Sequence, residues 1–91
     1  MEADASRLSL RRSDLHWAVL EDETVVLDAR GSRYLAINRS GTVLWRQLAQ
    51  GTTRAQLVET LSRECGVDEV RARHDVDAFC ERLDAEGLFE C

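Results

Sequence analysis

The hydrophobic and polar positions of this chain follow two periods, one after the other. Between Leu15 and Asn38 apolar residues fall in short runs with alternation. His16-Trp17-Ala18-Val19-Leu20 is followed by the acidic cluster Glu21-Asp22-Glu23. Thr24-Val25-Val26-Leu27-Asp28-Ala29 comes next and is rich in β-branched residues. Arg30-Gly31-Ser32 supplies a turn, with Gly31 the residue suited to positive φ, and Arg33-Tyr34-Leu35-Ala36-Ile37 closes the set. Alternation puts Leu35 and Ile37 on one face and Tyr34 and Ala36 on the other. Three short runs joined by tight turns predict an antiparallel meander.

From Asn38 the spacing turns helical. Asn38 or Ser40 can cap a first helix carrying Val43, Leu44, Trp45 and Leu48, with Gly51 at its end. Thr53 and Gln56 form a capping box for a second helix bearing Leu57, Val58, Leu61 and Cys65, stopped at Gly66. Asp68 caps a third through about Glu86, with Val76, Phe79, Cys80 and Leu83 on its apolar stripe and Gly87 ending it. Leu88 and Phe89 are expected to fold back onto the core. The order β-β-β-α-α-α predicts an α+β fold, a winged helix-turn-helix-like arrangement of a three-stranded antiparallel sheet followed by three helices. Residues 1–14 are polar and read as a flexible N-terminal tail; residues 15–91 read as one domain.

Composition narrows the function classes. A chain of 91 residues holds one modest core and no cleft between domains. Its three cysteines are odd in number and widely spaced, unlike a secreted disulfide framework. No signal peptide and no membrane-length apolar stretch is visible, so the expected location is cytoplasmic.

Candidate chemistry is sparse. His16 and His74 have no local nucleophile partner. Cys65, His74 and Cys80 are spaced C-x8-H-x5-C, unlike zinc-site pairs, and both cysteines fall on apolar stripes, so core packing is expected and no metal. Cys91, at the end, is expected to be exposed. The five glycines are isolated, so no phosphate or dinucleotide loop exists and no cofactor is expected. Seventeen carboxylates single out no acid/base pair. The residues give no support for an enzyme.

Two binding functions remain. The helices fit a winged-helix DNA-binding regulator, whose reading helix would be the third. Charge argues against it: residues 67–91 hold eight acidic and three basic residues, matching the chain's whole net charge of −5. The other function is peptide binding. Residues 34–37 carry no charge and no proline, so the third strand has none of the usual guards of a sheet edge. Such an edge can accept an added strand, or be covered by the tail or a second copy.

The stretch Tyr34-Leu35-Ala36-Ile37-Asn38-Arg39-Ser40-Gly41-Thr42-Val43-Leu44-Trp45 resembles the PqqD family of precursor-peptide recognition elements. Gly51 with Thr53-x-x-Gln56-Leu57, then Val76-Asp77-Ala78-Phe79, Leu83 and Gly87-Leu88, extend the resemblance over residues 15–90. Ile37 and Cys80 depart from the commoner leucine and larger aliphatic. The resemblance implies a non-catalytic module that binds the leader of a ribosomally made precursor peptide. It would present that leader to a maturation enzyme, whether a radical-SAM enzyme, a lasso-peptide leader protease or another maturase. The leader would add as a strand beside Arg33, Tyr34, Leu35, Ala36 and Ile37, against Asp75, Ala78, Phe79 and Arg82 of the third helix, with Phe79 as an apolar wall and Asp75 or Arg82 as rim charges.

Overall fold

The computed structural model describes residues 7–90. Three strands, β1 (Leu15–Leu20), β2 (Glu23–Asp28) and β3 (Arg33–Ile37), are followed by α1 (Arg39–Gln50), α2 (Arg54–Cys65) and α3 (Glu69–Ala85). The sheet is antiparallel in the order β1-β2-β3. Its register sets Trp17 opposite Val26 and Val26 opposite Leu35. Because side chains alternate, Leu15, Val26, Leu35 and Ile37 point into the core, while His16, Val25, Tyr34 and Ala36 are exposed.

The helices begin and end where local chemistry satisfies their terminal groups. Asn38, the only residue between β3 and α1, accepts from the Gly41 amide at 2.9 Å. Thr53 and Gln56 exchange side-chain to backbone bonds in the expected capping box. Asp68 accepts from the Arg71 amide at 2.8 Å. Gly66 and Gly87 take positive φ, and the Leu88 amide donates back to the Leu83 carbonyl at 3.0 Å, closing α3.

The sheet's inner face is sealed by α1. Leu44, Trp45 and Leu48 are almost wholly buried there, and Trp17 packs edge-on to Trp45 with centroids 5.5 Å apart. Leu57, Val58 and Leu61 of α2 and Ala72, Val76, Cys80 and Leu83 of α3 complete the core. One polar tie crosses it: the buried hydroxyls of Thr24 on β2 and Thr42 on α1 share a hydrogen bond of 2.9 Å. Trp45 Nε1 and Gln47 Oε1 have no partner among the described residues.

Three expectations change. Residues 8–14 are not a loose tail. Leu8 pairs with Thr52, Leu10 is buried and pairs with Phe89, and the Arg11 amide donates to Leu88 O at 2.7 Å. Leu8 and Leu10 cover apolar surface that the sheet and helices leave open; residues 1–6 lie outside the described residues. Second, the left-handed residue of the β2–β3 turn is Ser32, not Gly31. The turn is instead held by Asp28, whose Oδ1 accepts from the amides of Arg30 and Gly31. Third, Cys65 is exposed because α2 ends there, beyond the core; Cys80 alone of the described cysteines is buried. Cys91 lies outside the described residues.

Asp28 also receives Arg11 Nη2 at 2.6 Å. Arg11 is only 10% exposed, and its Nη1 donates to Gly87 O at 2.8 Å, so one guanidinium joins the arm, the hairpin and the C-terminal turn. The Arg11 hydrogen bond holds the Asp28 carboxyl below its ordinary 3.8, outweighing the upward push of burial, with the turn amides assisting. A lowered carboxyl pKa means stability that is present above 3.8 and withdrawn as pH falls through the folded value. Asp28→Asn is therefore expected to lower the thermal midpoint at neutral pH. In circular-dichroism melts its gap from the parent should narrow below pH 3.8. A gap independent of pH would show that the Asp28 charge is not involved.

Candidate functional site

On β3 the edge away from β2 has no strand partner among the described residues. Beside the C-terminal end of β3 lies a cleft of about 380 Å3. Its strand side is Ile37, Asn38, Ser40 and Gly41; its helix side is Asp75, Ala78, Phe79 and Arg82; Leu44 and Leu61 also line it. Hollows of similar volume occur elsewhere, including one of about 420 Å3 between α2 and the start of α3. Volume does not distinguish this cleft. The unpaired backbone beside it does, because it offers fixed hydrogen-bonding groups next to an apolar hollow.

The α3 wall follows from helical spacing. Ala72, Val76, Cys80 and Leu83 are buried in the core. Asp75, Ala78, Phe79 and Arg82, at i, i+3, i+4 and i+7, form the neighbouring stripe. Phe79 is half-buried and packs against the core, while the other three are exposed. Asp75 lies 3.8 Å from Arg71 Nε. At the other end of β3, Arg33 Nη1 meets Glu86 Oε1 at 2.9 Å, tying the start of the strand to the end of α3.

The strand wall depends on one close approach. Gly41, in the first turn of α1, sits so near Ile37 and Phe79 that a β carbon there would lie 2.5 Å from Ile37 Cγ2 and 3.1 Å from Phe79 Cε1. Glycine lets the start of α1, the end of β3 and the middle of α3 meet.

The structure thus groups Ile37 with all four α3 residues named from the sequence. It does not bring the other β3 side chains to the hollow. Leu35 is buried in the core, Arg33 is at the far end, and Tyr34, 74% exposed, and Ala36 lie on the outer face. Asn38, Ser40, Gly41, Leu44 and Leu61 line the cleft without having been singled out for it. The Asn38-x-x-Gly41 spacing was the available signal, since it starts α1 immediately after the strand.

Burial pushes the Cys80 thiol pKa up, with nearby Arg54 opposing and Asp77 reinforcing. His16 and His74 are both exposed. Among the described residues no three His, Cys, Asp or Glu side chains are grouped as metal ligands. Among the described residues no helix is long and apolar enough to cross a membrane.

Comparison with known proteins identifies related folds. The family model for coenzyme PQQ synthesis protein D (PqqD) matches residues 23–88, well over half the chain. The solved structure of TbiB1 in complex with the TbiA(β) leader peptide is 23% identical and superposes with a TM-score of 0.82, covering 90% of this chain and 94% of that one. Lasso peptide synthetase B1 complexed with the leader peptide is 24% identical, with a TM-score of 0.79 and coverage of 92% and 98%. No curated protein sequence matches.

Gly41→Ala tests the close approach. The added methyl must displace Ile37 or Phe79, and overpacking of this kind costs about 1–3 kcal/mol. Urea unfolding should show that loss, and unchanged stability would mean that the three elements are not held by this contact.

Proposed function

The chain belongs to the PqqD family, and from that membership and the cleft between β3 and α3 we propose that it is a non-catalytic module that captures the leader of a ribosomally made precursor peptide. The unpaired edge of β3, uncharged from Tyr34 to Ile37, beside an apolar hollow carries this reading. Both structural neighbours are complexes with leader peptides, which supports it.

The mechanism follows from strand addition. An extended leader pairs its backbone with the free groups of Arg33–Ile37 and continues the sheet. Alternate side chains then face the α3 wall. One apolar leader side chain enters between Ile37, Leu44 and Phe79, with Ala78 leaving room for it. Asp75 and Arg82 at the rim set the charge preference of the flanking residues. Main-chain pairing tolerates many strand sequences, and the hollow supplies selectivity. A leader that orders only on binding loses conformational entropy, so its affinity falls in the nanomolar to micromolar range expected of such segments.

In this reading the module itself makes and breaks no covalent bond. The module holds the leader while a separate maturation enzyme, such as a radical-SAM enzyme, a leader protease or another maturase, acts on the attached core peptide. This work takes place in the cytoplasm, where ribosomal precursors are made. Gene neighbourhood should reveal the precursor and that enzyme.

Isotope-labelled protein titrated with the leader of a neighbouring precursor should show shifts confined to residues 33–41 and 75–82. Phe79→Ala should weaken binding by about ten- to a hundredfold, the loss expected for an aromatic anchor, and leave the helical circular-dichroism signal intact. Shifts elsewhere, or none with any adjacent leader, would overturn the proposal. A gel shift with duplex DNA at low salt would replace it with the winged-helix regulator.

A further inference from the structure

The opposite edge of the sheet carries a second hollow with different chemistry. The N-terminal arm, β1 and the C-terminal end of α1 enclose a notch of about 470 Å3. Arg7, Arg11 and Arg12 line it together with Leu15, Trp17 and Gln50, and no carboxylate is among its lining residues. This is a concentration of positive charge on a chain whose net charge is −5.

The three arginines are not equivalent. Arg11 is committed to Asp28 and Gly87, as described above. Arg7 lies over the end of α1, its Nη2 2.9 Å from where a β carbon on Gly51 would stand. Arg12 is 87% exposed and reaches Glu90 only at 3.6 Å, too far for a strong ion pair. Trp17 gives the notch an apolar wall. It is 40% exposed although it lies on the inner side of β1, and its packing on Trp45 fixes its ring. β1 itself has no charged residue and no proline, and among the described residues it pairs only with β2.

We propose that this notch docks an acidic, extended segment of a protein partner, which places one apolar side chain against Trp17 and its carboxylates near Arg7 and Arg12. Charge complementarity selects the occupant. Carboxylates meet two guanidinium groups converging on one concave notch, and because Arg12 is exposed that attraction weakens as salt rises. The exposed ring supplies the area that a purely ionic contact lacks. The free backbone of β1 accepts main-chain bonds from an extended chain. This site uses none of the residues that line the β3–α3 cleft, so it stands whether or not the leader binds there.

Blocked synthetic pentapeptides provide the test. The full chain, isotope-labelled, is titrated with Glu-Asp-Leu-Asp-Glu, with the same peptide bearing Ser for Leu, and with Lys-Arg-Leu-Arg-Lys. The acidic leucine peptide should shift the Arg7, Arg12 and Gln50 side chains and the Trp17 indole. It should bind about tenfold tighter than the basic peptide, with the serine version between them. Its affinity should fall as salt rises from about 50 to about 300 mM. Arg12→Glu, at an exposed position, should abolish the acidic preference and leave the signals of residues 75–82 unchanged. Equal response to acidic and basic peptides, no response, or an unchanged preference in Arg12→Glu would each overturn the proposal. So would a chain starting at Arg7 that binds the acidic peptide about tenfold tighter than the full chain, because the protein's own Glu2 and Asp4 would then be competing for the notch.

Discussion

A three-stranded sheet has two faces and two edges, and a domain of this size can bury only one face. That constraint organises the molecule. Leu15, Val26, Leu35 and Ile37 supply the buried face, and α1 is laid across it through Leu44, Trp45 and Leu48. α2 packs on α1 and α3 packs on α2, and neither adds a backbone partner to the strand edges. The edge of β3 stays unpaired because α1 starts after a single intervening residue, Asn38, which brings its first turn alongside the end of the strand. Gly41 then allows Phe79 of α3 to approach that turn. A trough is left where strand, helix start and third helix converge.

Much of this was legible in the sequence because it rests on local chemistry. The alternation of Leu35 and Ile37 against Tyr34 and Ala36, the Thr53–Gln56 box, and the caps at Asn38 and Asp68 each follow from residues close together in the chain. The family resemblance named Asp75, Ala78, Phe79 and Arg82, whose i, i+3, i+4, i+7 spacing puts them side by side on α3 along one cleft. What was not legible depends on contacts distant in sequence. Leu8 and Leu10 looked like part of a polar tail, since nothing nearby shows that Thr52 and Phe89 will receive them. Ser32 holds the left-handed turn position while Asp28 accepts from the Arg30 and Gly31 amides, contacts that glycine's preference for positive φ does not reveal. Cys65 fitted an apolar stripe by period, but period does not show where a helix runs past the core. Leu44 and Leu61 contribute to the cleft from helices read only as core.

The acidic residues are distributed with consequences for binding. Much of the negative charge lies on α3 and its flanks, but Asp75 alone of these carboxylates lines the cleft, while Glu69 and Asp77 line hollows on the α2 side. Several of these carboxylates are engaged with neighbours, as Glu69 is with Arg73 at 2.8 Å and Asp77 with Arg54 at 2.9 Å. Exposed pairs of this kind contribute little stability. Their effect is to temper the local field, so that α3 disfavours polyanions without becoming a strong trap for cations.

The docked arm has a topological consequence. The Leu10–Phe89 pairing, with the Glu90 amide on Ser9 O at 2.9 Å, sets the entering and departing chain side by side in opposite directions. Neither segment lines the β3–α3 cleft. The domain is thus closed like a loop with its two ends clasped. It can be spliced into a larger polypeptide at that clasp, or joined end to end by a short linker and reopened at the exposed Glu21–Asp22 turn, with the trough beside β3 carried along unchanged.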